Sequence, residues 1–300
     1  MSEDDSNNDR VALAAAHAPL NNLIRGIPPE FLAIGSMLSI QLGAALAVPV
    51  MAAIGPAATT ALRLLWAGIL LTVFVRPHFG TMTPRQWLAG AGLGIVIAGL
   101  TLCYFAAISR IPMGPATAIE FLGPLGVALA GSRRFLHLVL AGVAAIGVLF
   151  LTREHSHWSV DAGGVGFAAG AALGWGAYIM LMKRVGNSFA GLQGLSIALL
   201  VAALVAMPVC FVAGRNVLML APFLSTVGLA LLSPLLPYAL EMMALRSMST
   251  RAFGILMSME PAISTVLGYA ILAQHLSLRQ IGGIGCVVAA SIITAAENRK

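Results

Sequence analysis

Apolar runs of roughly twenty residues follow one another from Phe31 almost to the C-terminus, separated only by short clusters of Pro, Gly and charge. That pattern leaves few folds open. A helix of about 20 apolar residues crosses the ~30 Å hydrocarbon core of a bilayer, and in lipid a helix satisfies its own backbone. Breaking the chain at its polar clusters gives ten candidate spans: 31–53, 57–75, 86–109, 114–131, 135–152, 163–183, 190–213, 222–245, 250–273 and 277–296. The linkers are too short for an extramembrane domain. Only 9% of the 300 residues are charged and 59% are hydrophobic, whereas a soluble domain is about 25% charged. The expected class is therefore an all-α integral membrane protein with ten transmembrane helices.

The polar segments set the expected topology. Residues 1–27 begin "MSEDDSNNDR", acidic and polar, unlike the basic n-region of a secretory signal. They are read as a disordered cytosolic tail, with the first helix an uncleaved insertion signal. With that tail inside, inner segments carry twelve Lys and Arg: Arg10, Arg25, Arg76, Arg85, Arg133, Arg134, Lys183, Arg184, Arg246, Arg251, Arg299 and Lys300. Outer segments carry four: Arg110, Arg153, Arg215 and Arg279. The positive-inside rule then places both termini in the cytoplasm. The net charge of +6 follows this topology and has no basic run with interleaved aromatics, so no nucleic-acid partner is expected. Cys103, Cys210 and Cys286 each stand alone in an apolar run and read as packing residues. His155 and His157 lack a third ligand, and Trp158 beside them reads as an interfacial anchor. No metal and no cofactor is expected.

A shift of 140 residues lays Glu120 on Glu260, Gly114 on Gly254, Leu136 on Leu276, Leu138 on Leu278 and Gly142 on Gly282. The repeat unit is then five helices, 28–155 followed by 156–300. An odd number of spans inverts the second copy, giving two inverted five-helix repeats with a substrate site near the midplane between them. Gly166, Gly170 and Gly174 recur at four-residue spacing, as do Gly90 and Gly94. Such stripes let helix backbones approach closely and read as internal packing. Pro49, Pro124, Pro208, Pro234, Pro237 and Pro261 fall within or near spans, where kinks around a cavity are expected.

Four ionisable residues lie well inside spans: Arg63, Glu120, Glu241 and Glu260. Each costs about 2.5–3.5 kcal/mol on insertion scales, so four cost roughly 10 kcal/mol, comparable to the stability of a whole domain. They must pair or face water. One base cannot neutralise three acids, and a buried carboxyl without a counter-charge favours its protonated form. Proton coupling uses that property; buried ion-pair glue between Arg63 and one glutamate is the structural alternative. Small and polar residues share a helical face with each acid: Ser264 with Glu260, Thr117 with Glu120, Tyr238 with Glu241. Gln41, Tyr104, Trp175 and Tyr178 are further candidates for the same cavity.

The strings "TAIEFLGPLGVALAGSRR" (117–134) and "LLPYALEMMALRSMSTRAFGILMSMEPAIS" (235–264), with "SIQLGAALA" (39–47), "TALRL" (60–64) and "GWGAYIM" (174–180), resemble the EamA-type branch of the drug/metabolite transporter superfamily. The resemblance runs over nearly all of 31–296. It implies ten helices in two inverted repeats, an inner-membrane location, cytoplasmic termini, and export of small amino acids of the threonine/homoserine kind driven by protons. Glu120, Glu241, Glu260 and Arg63 all fall in the matching strings. One departure is the turn before the last helix, where the branch often carries an acid and this chain has Gln274-His275-Leu276.

The expected function is a secondary transporter exporting small neutral amino acids by proton antiport, not an enzyme. Its partners are the amino acid, protons and the bilayer, as a monomer or homodimer. A glutamate, Glu120 or Glu260, receives the substrate ammonium or a proton in alternation, and Arg63 holds the substrate carboxylate or neutralises Glu241. Two alternatives stand beside it: a broad-specificity efflux permease for aromatic amino acids or cationic compounds, and an intramembrane enzyme.

Overall fold

The computed structural model describes residues 27–77, 79–130, 135–152, 161–189, 192–213, 220–247, 253 and 256–297. The tail before Ile27, the His155–Trp158 loop, Gly254 and nine of the Lys and Arg used for topology (Arg10, Arg25, Arg133, Arg134, Arg153, Arg215, Arg251, Arg299 and Lys300) lie outside the described residues. Among the described residues the regular structure is helical throughout, with no strand.

The helices are α1 (Pro29–Ile54), α2 (Pro56–Val75), α3 (Pro84–Ile108), α4 (Met113–Glu120), α5 (Leu122–Ala130), α6 (Phe135–Thr152), α7 (Ala162–Ser188), α8 (Gln193–Ala213), α9 (Leu220–Ala230), α10 (Leu236–Ser247), α11 (Glu260–Leu272) and α12 (Leu278–Glu297). Five stretches among the described residues are long and apolar enough to cross a membrane: Pro29–Ile54, Pro56–Val75, Pro84–Ile108, Ala162–Gly186 and Phe223–Ala244. Their outward faces are apolar too. Leu173 is 80% exposed and Leu88 77%, which suits a helix solvated by lipid on one side and by protein on the other.

Local chemistry sets the helix ends. Pro29, Pro56 and Pro84 occupy the first turns of α1, α2 and α3, where a missing N–H costs nothing. α1 and α2 are joined by Gly55 alone, at φ 86°, a conformation that side chains resist. Thr83 and Gln86 form a reciprocal capping box on α3. Asp161 accepts from the Gly163 and Gly164 amides at 2.8 and 3.3 Å and so caps α7.

Three of the stretches expected as continuous spans are interrupted. One breaks at Phe121 between α4 and α5, one at Leu231–Leu235 between α9 and α10, and one at Ser258–Met259 just before α11. At the second break Ser233 is extended (φ −165°, ψ 115°). Pro234 sits in that break, whereas Pro124, Pro237 and Pro261 sit in the first turns of the helices that follow breaks. Pro261 therefore starts a helix rather than bending one, because a first-turn proline forfeits no intrahelical bond. Pro49 and Pro208 lie inside α1 and α8.

Packing joins elements far apart in sequence. α3 packs on α7, and α1 on α9 and α10; α2 packs on α8, α4 on α11, and α6 on α12. Small residues make these approaches close. A Cβ added at Gly174 would lie 3.1 Å from Leu100 Cβ, and one at Gly147 2.7 Å from the Gly283 carbonyl oxygen. The large buried cluster runs through α1, α2, α3, α7 and α8.

One close seam between α3 and α8 gives a direct test. A Cβ on Gly94 would sit 2.5 Å from the Ala198 carbonyl oxygen and 2.7 Å from Val201 Cβ, whereas Gly92 has nothing within 4 Å. Gly94→Val is expected to cost about 1–3 kcal/mol by overpacking, and Gly92→Val about 0.5 kcal/mol or less. Thermal unfolding of the two variants in detergent measures the difference.

Candidate functional site

The interrupted helices meet at one cavity. It measures about 50 Å³, several times the roughly 10–15 Å³ that one water needs. Its wall is made by Ile40, Gln41 and Ala44 of α1, Leu100, Thr101, Tyr104 and Phe105 of α3, Glu120 of α4, Trp175 and Tyr178 of α7, Ser233 of the break before α10, Tyr238 and Glu241 of α10, and Glu260 of α11. Two of the acids lie beside a break, Glu120 at the end of α4 and Glu260 at the start of α11, while Glu241 lies two turns beyond Ser233. Interrupting a helix at membrane depth requires partners for the freed backbone, and here the breaks adjoin a cavity that carries carboxyl, hydroxyl and amide groups.

Seven of the eight residues expected from sequence line this cavity: Gln41, Tyr104, Glu120, Trp175, Tyr178, Glu241 and Glu260. The eighth, Arg63, stands behind the wall. Its Nε and Nη2 donate to the Ser233 carbonyl at 3.0 and 2.6 Å, and Nη2 also donates to Ser233 Oγ at 2.8 Å. Its guanidinium carbon lies 4.1 Å from the centre of the Phe105 ring, so backbone, hydroxyl and π-face together offset its burial. A salt bridge joins Arg110 and Asp161 at 3.7 Å, outside this site. Arg63 thus serves the helix break directly.

The acids differ in their bonds. Glu241 accepts from Ser36 Oγ at 3.0 Å on one oxygen and from Tyr178 OH at 3.1 Å on the other. Glu260 accepts on Oε1 from Gln41 Nε2 at 2.9 Å. Its Oε2 is buried and has no hydrogen-bond partner, as does Nη1 of Arg63. The Tyr104 hydroxyl donates to Gln41 Oε1 at 3.2 Å and lies 2.9 Å from Thr117 Oγ1, which is 2.9 Å from Ser264 Oγ. The Tyr178 and Tyr238 rings lie 5.3 Å apart, and Trp175 meets Phe121 edge-on at 5.4 Å.

Ser233, Phe105 and Ser36 were not among the residues expected at the site, and Tyr238, Thr117 and Ser264 were expected only as face-neighbours of the acids. Thr117, Ser264 and Tyr238 share helical faces with the acids, a signal present in the sequence. The serine before a proline at 233–234, within an apolar span, also pointed there. Ser36 and Phe105 carry no such mark; only the crossing of their helices brings them in. Among the described residues no cluster of His, Cys, Asp and Glu has the makeup of a metal site.

Comparison with known proteins gives a consistent result. A family model described as the EamA-like transporter family matches residues 162–296. The threonine/homoserine exporter RhtA of Escherichia coli K12 is 36% identical over 276 residues, covering 91% of this chain and 92% of that protein. The threonine/homoserine exporter RhtA of Salmonella typhimurium LT2 is 36% identical over 261 residues, covering 86% and 88%. One solved crystal structure superposes with a TM-score of 0.62 at 19% identity, covering 91% of this chain and 99% of that one. It shares the fold.

The role of Arg63 at the break is open to measurement. Arg63→Met leaves the buried Ser233 carbonyl without its donors, an expected loss of about 1–3 kcal/mol. Arg63→Lys keeps the charge and one donor and is expected to recover part of it. Thermal midpoints of the purified proteins in detergent report both; a midpoint unchanged in Arg63→Met would mean the break stands without this bond.

Proposed function

The chain belongs to the EamA-like transporter family, and on that premise we propose that it exports small neutral amino acids of the threonine/homoserine kind from the cytoplasm across the inner membrane, by proton antiport. The observation that carries the substrate class is the 36% identity to threonine/homoserine exporters over 91% of the chain. Membership in a transporter family sets aside the intramembrane enzyme.

The proposed architecture is ten transmembrane helices in two inverted five-helix repeats, 28–155 and 156–300, with both termini cytoplasmic. Packing supports it. If α1 corresponds to α7, α3 to the α9–α10 pair and α4 to α11, then α1 against α9–α10 mirrors α7 against α3. The pairs α2–α8, α4–α11 and α6–α12 are each their own mirror image. The cavity wall follows the same correspondence, with α1, α3 and α4 on one side and α7, α10 and α11 on the other. The family match at 162–296 falls within the proposed second repeat.

In this reading the cavity opens alternately to the two sides between the repeats. A zwitterion moves without net charge, so exchange for one entering proton yields about 2.3 kcal/mol per 100 mV. That supports roughly a 50-fold outward gradient, since ~1.4 kcal/mol is tenfold. Glu120 or Glu260 takes the substrate ammonium in one half-cycle and the proton in the other. Arg63, fixed on Ser233, shapes the break that carries Tyr238 and Glu241 into the wall.

A second reading rests on the aromatic lining. Tyr104, Phe105, Trp175, Tyr178 and Tyr238 surround three acids, a composition that also suits cationic or aromatic solutes. Counterflow in proteoliposomes separates the two. Vesicles loaded with homoserine are expected to take up radiolabelled threonine, faster with an imposed pH gradient. Glu260→Gln is expected to exchange with a raised KM and to lose the response to the gradient. If wild type exchanges neither amino acid, while an aromatic amino acid or an organic cation is exchanged, the second reading replaces the first.

A further inference from the structure

Counting protons along the bonds around Glu260 shows an order that no single bond reveals. A hydroxyl carries one proton. Tyr104 commits its proton to Gln41 Oε1 at 3.2 Å, so in the 2.9 Å contact with Thr117 it must accept. Thr117 has then spent its own proton, and in its 2.9 Å contact Ser264 must donate. Gln41 closes the sequence by donating from Nε2 to Glu260 Oε1 at 2.9 Å. Every donor therefore points one way, from Ser264 to the carboxylate. All five residues are buried, from 0% exposure at Thr117 and Ser264 to 7% at Tyr104. They come from α1, α3, α4 and α11.

The consequence falls on the last carboxylate. Its Oε1 is held by Gln41, which fixes the rotation of the carboxyl group, while Oε2 is buried without a hydrogen-bond partner on a residue that lines the cavity. A buried acceptor left open has a strong demand for a donor. Glu241, on the neighbouring helix α10, accepts on one oxygen from Ser36 and on the other from Tyr178. Two acids in one cavity thus have different roles built into their bonds.

We infer that Gln41 is a positioning residue, held in register by Tyr104 and Thr117, that turns Glu260 Oε2 toward the ammonium of the transported amino acid. The inference rests on the exporter reading. Gln41 acts through Glu260 and adds binding energy by fixing the carboxylate before the substrate arrives. A residue of this kind weakens ground-state binding when removed, so KM rises while kcat holds. Because the effect travels through one chain of bonds, cutting the chain at two points costs no more than cutting it once.

The test is a double-mutant cycle on homoserine counterflow in proteoliposomes. Gln41→Leu is expected to raise KM about tenfold and Tyr104→Phe about threefold, with the double variant close to Gln41→Leu alone. Tyr178→Phe, which touches Glu241, is expected to combine multiplicatively with Gln41→Leu. If the Gln41 and Tyr104 effects multiply to about thirtyfold, or if the loss falls on kcat alone, the inference is overturned. Should Gln41→Leu fail to insert stably, Thr117→Val cuts the same chain and takes its place in the cycle with Tyr104→Phe under the same criteria. If the wild type exchanges no homoserine, the exporter reading itself fails and this inference falls with it; multiplicative effects in an active wild type overturn the inference alone.

Discussion

The Ser233 carbonyl, freed where a helix breaks deep in the molecule, is held by the Arg63 guanidinium at 2.6 and 3.0 Å. Much else depends on this bond. In hydrocarbon an interrupted helix leaves polar backbone that nothing but protein or cavity water satisfies. Arg63 supplies the donors from α2, and its own burial is offset by Ser233 Oγ and the Phe105 face. The break lets α10 leave in the direction that places Tyr238 and Glu241 in the cavity wall. Gly43 of α1 keeps the opposite side close, since a Cβ there would lie 2.9 Å from Ser233 Cβ. The costly cation is thus used to hold an irregular backbone.

Around that break the molecule sorts its three acids. Glu241 is fully bonded and ties α1 to α7 and α10 through Ser36 and Tyr178. Glu260 is half bonded and tied to α1. Glu120 lies at the end of α4, where the chain is interrupted before α5. A cavity with three carboxylates and a guanidinium committed elsewhere favours a donor-bearing occupant, because unpaired carboxylates in a low-dielectric site are costly. An ammonium group is such an occupant.

Much of this was legible in the sequence. The apolar runs announced helices and their approximate places, because a chain with so little charge has no other way to satisfy its backbone in lipid. The four intramembrane ionisable residues announced a site, because their insertion cost demands a use. Seven of the eight expected residues do meet at one cavity. The breaks were harder to read. Prolines marked the neighbourhood at Pro124, Pro234 and Pro261, but a proline in a first turn starts a helix and one inside a helix disturbs it. The sequence is the same in both cases; the register of the surrounding helices makes the difference.

What the sequence by itself determined is the class of molecule: a helical membrane chain with acids in its interior and the strings of a transporter family. Those properties follow from composition, run length and transfer energies, which are additive along the chain. What only the tertiary structure decided is who bonds to whom. Arg63 was free to meet any glutamate and meets Ser233, 170 residues away; Gln41 meets Glu260 across 219 residues. Such partnerships depend on helix crossings set by small residues such as Gly43 and Gly94, and on helix breaks that re-aim side chains by a fraction of a turn. A one-dimensional reading assigns the cost of burying each polar group. Three-dimensional packing assigns the partner that meets it.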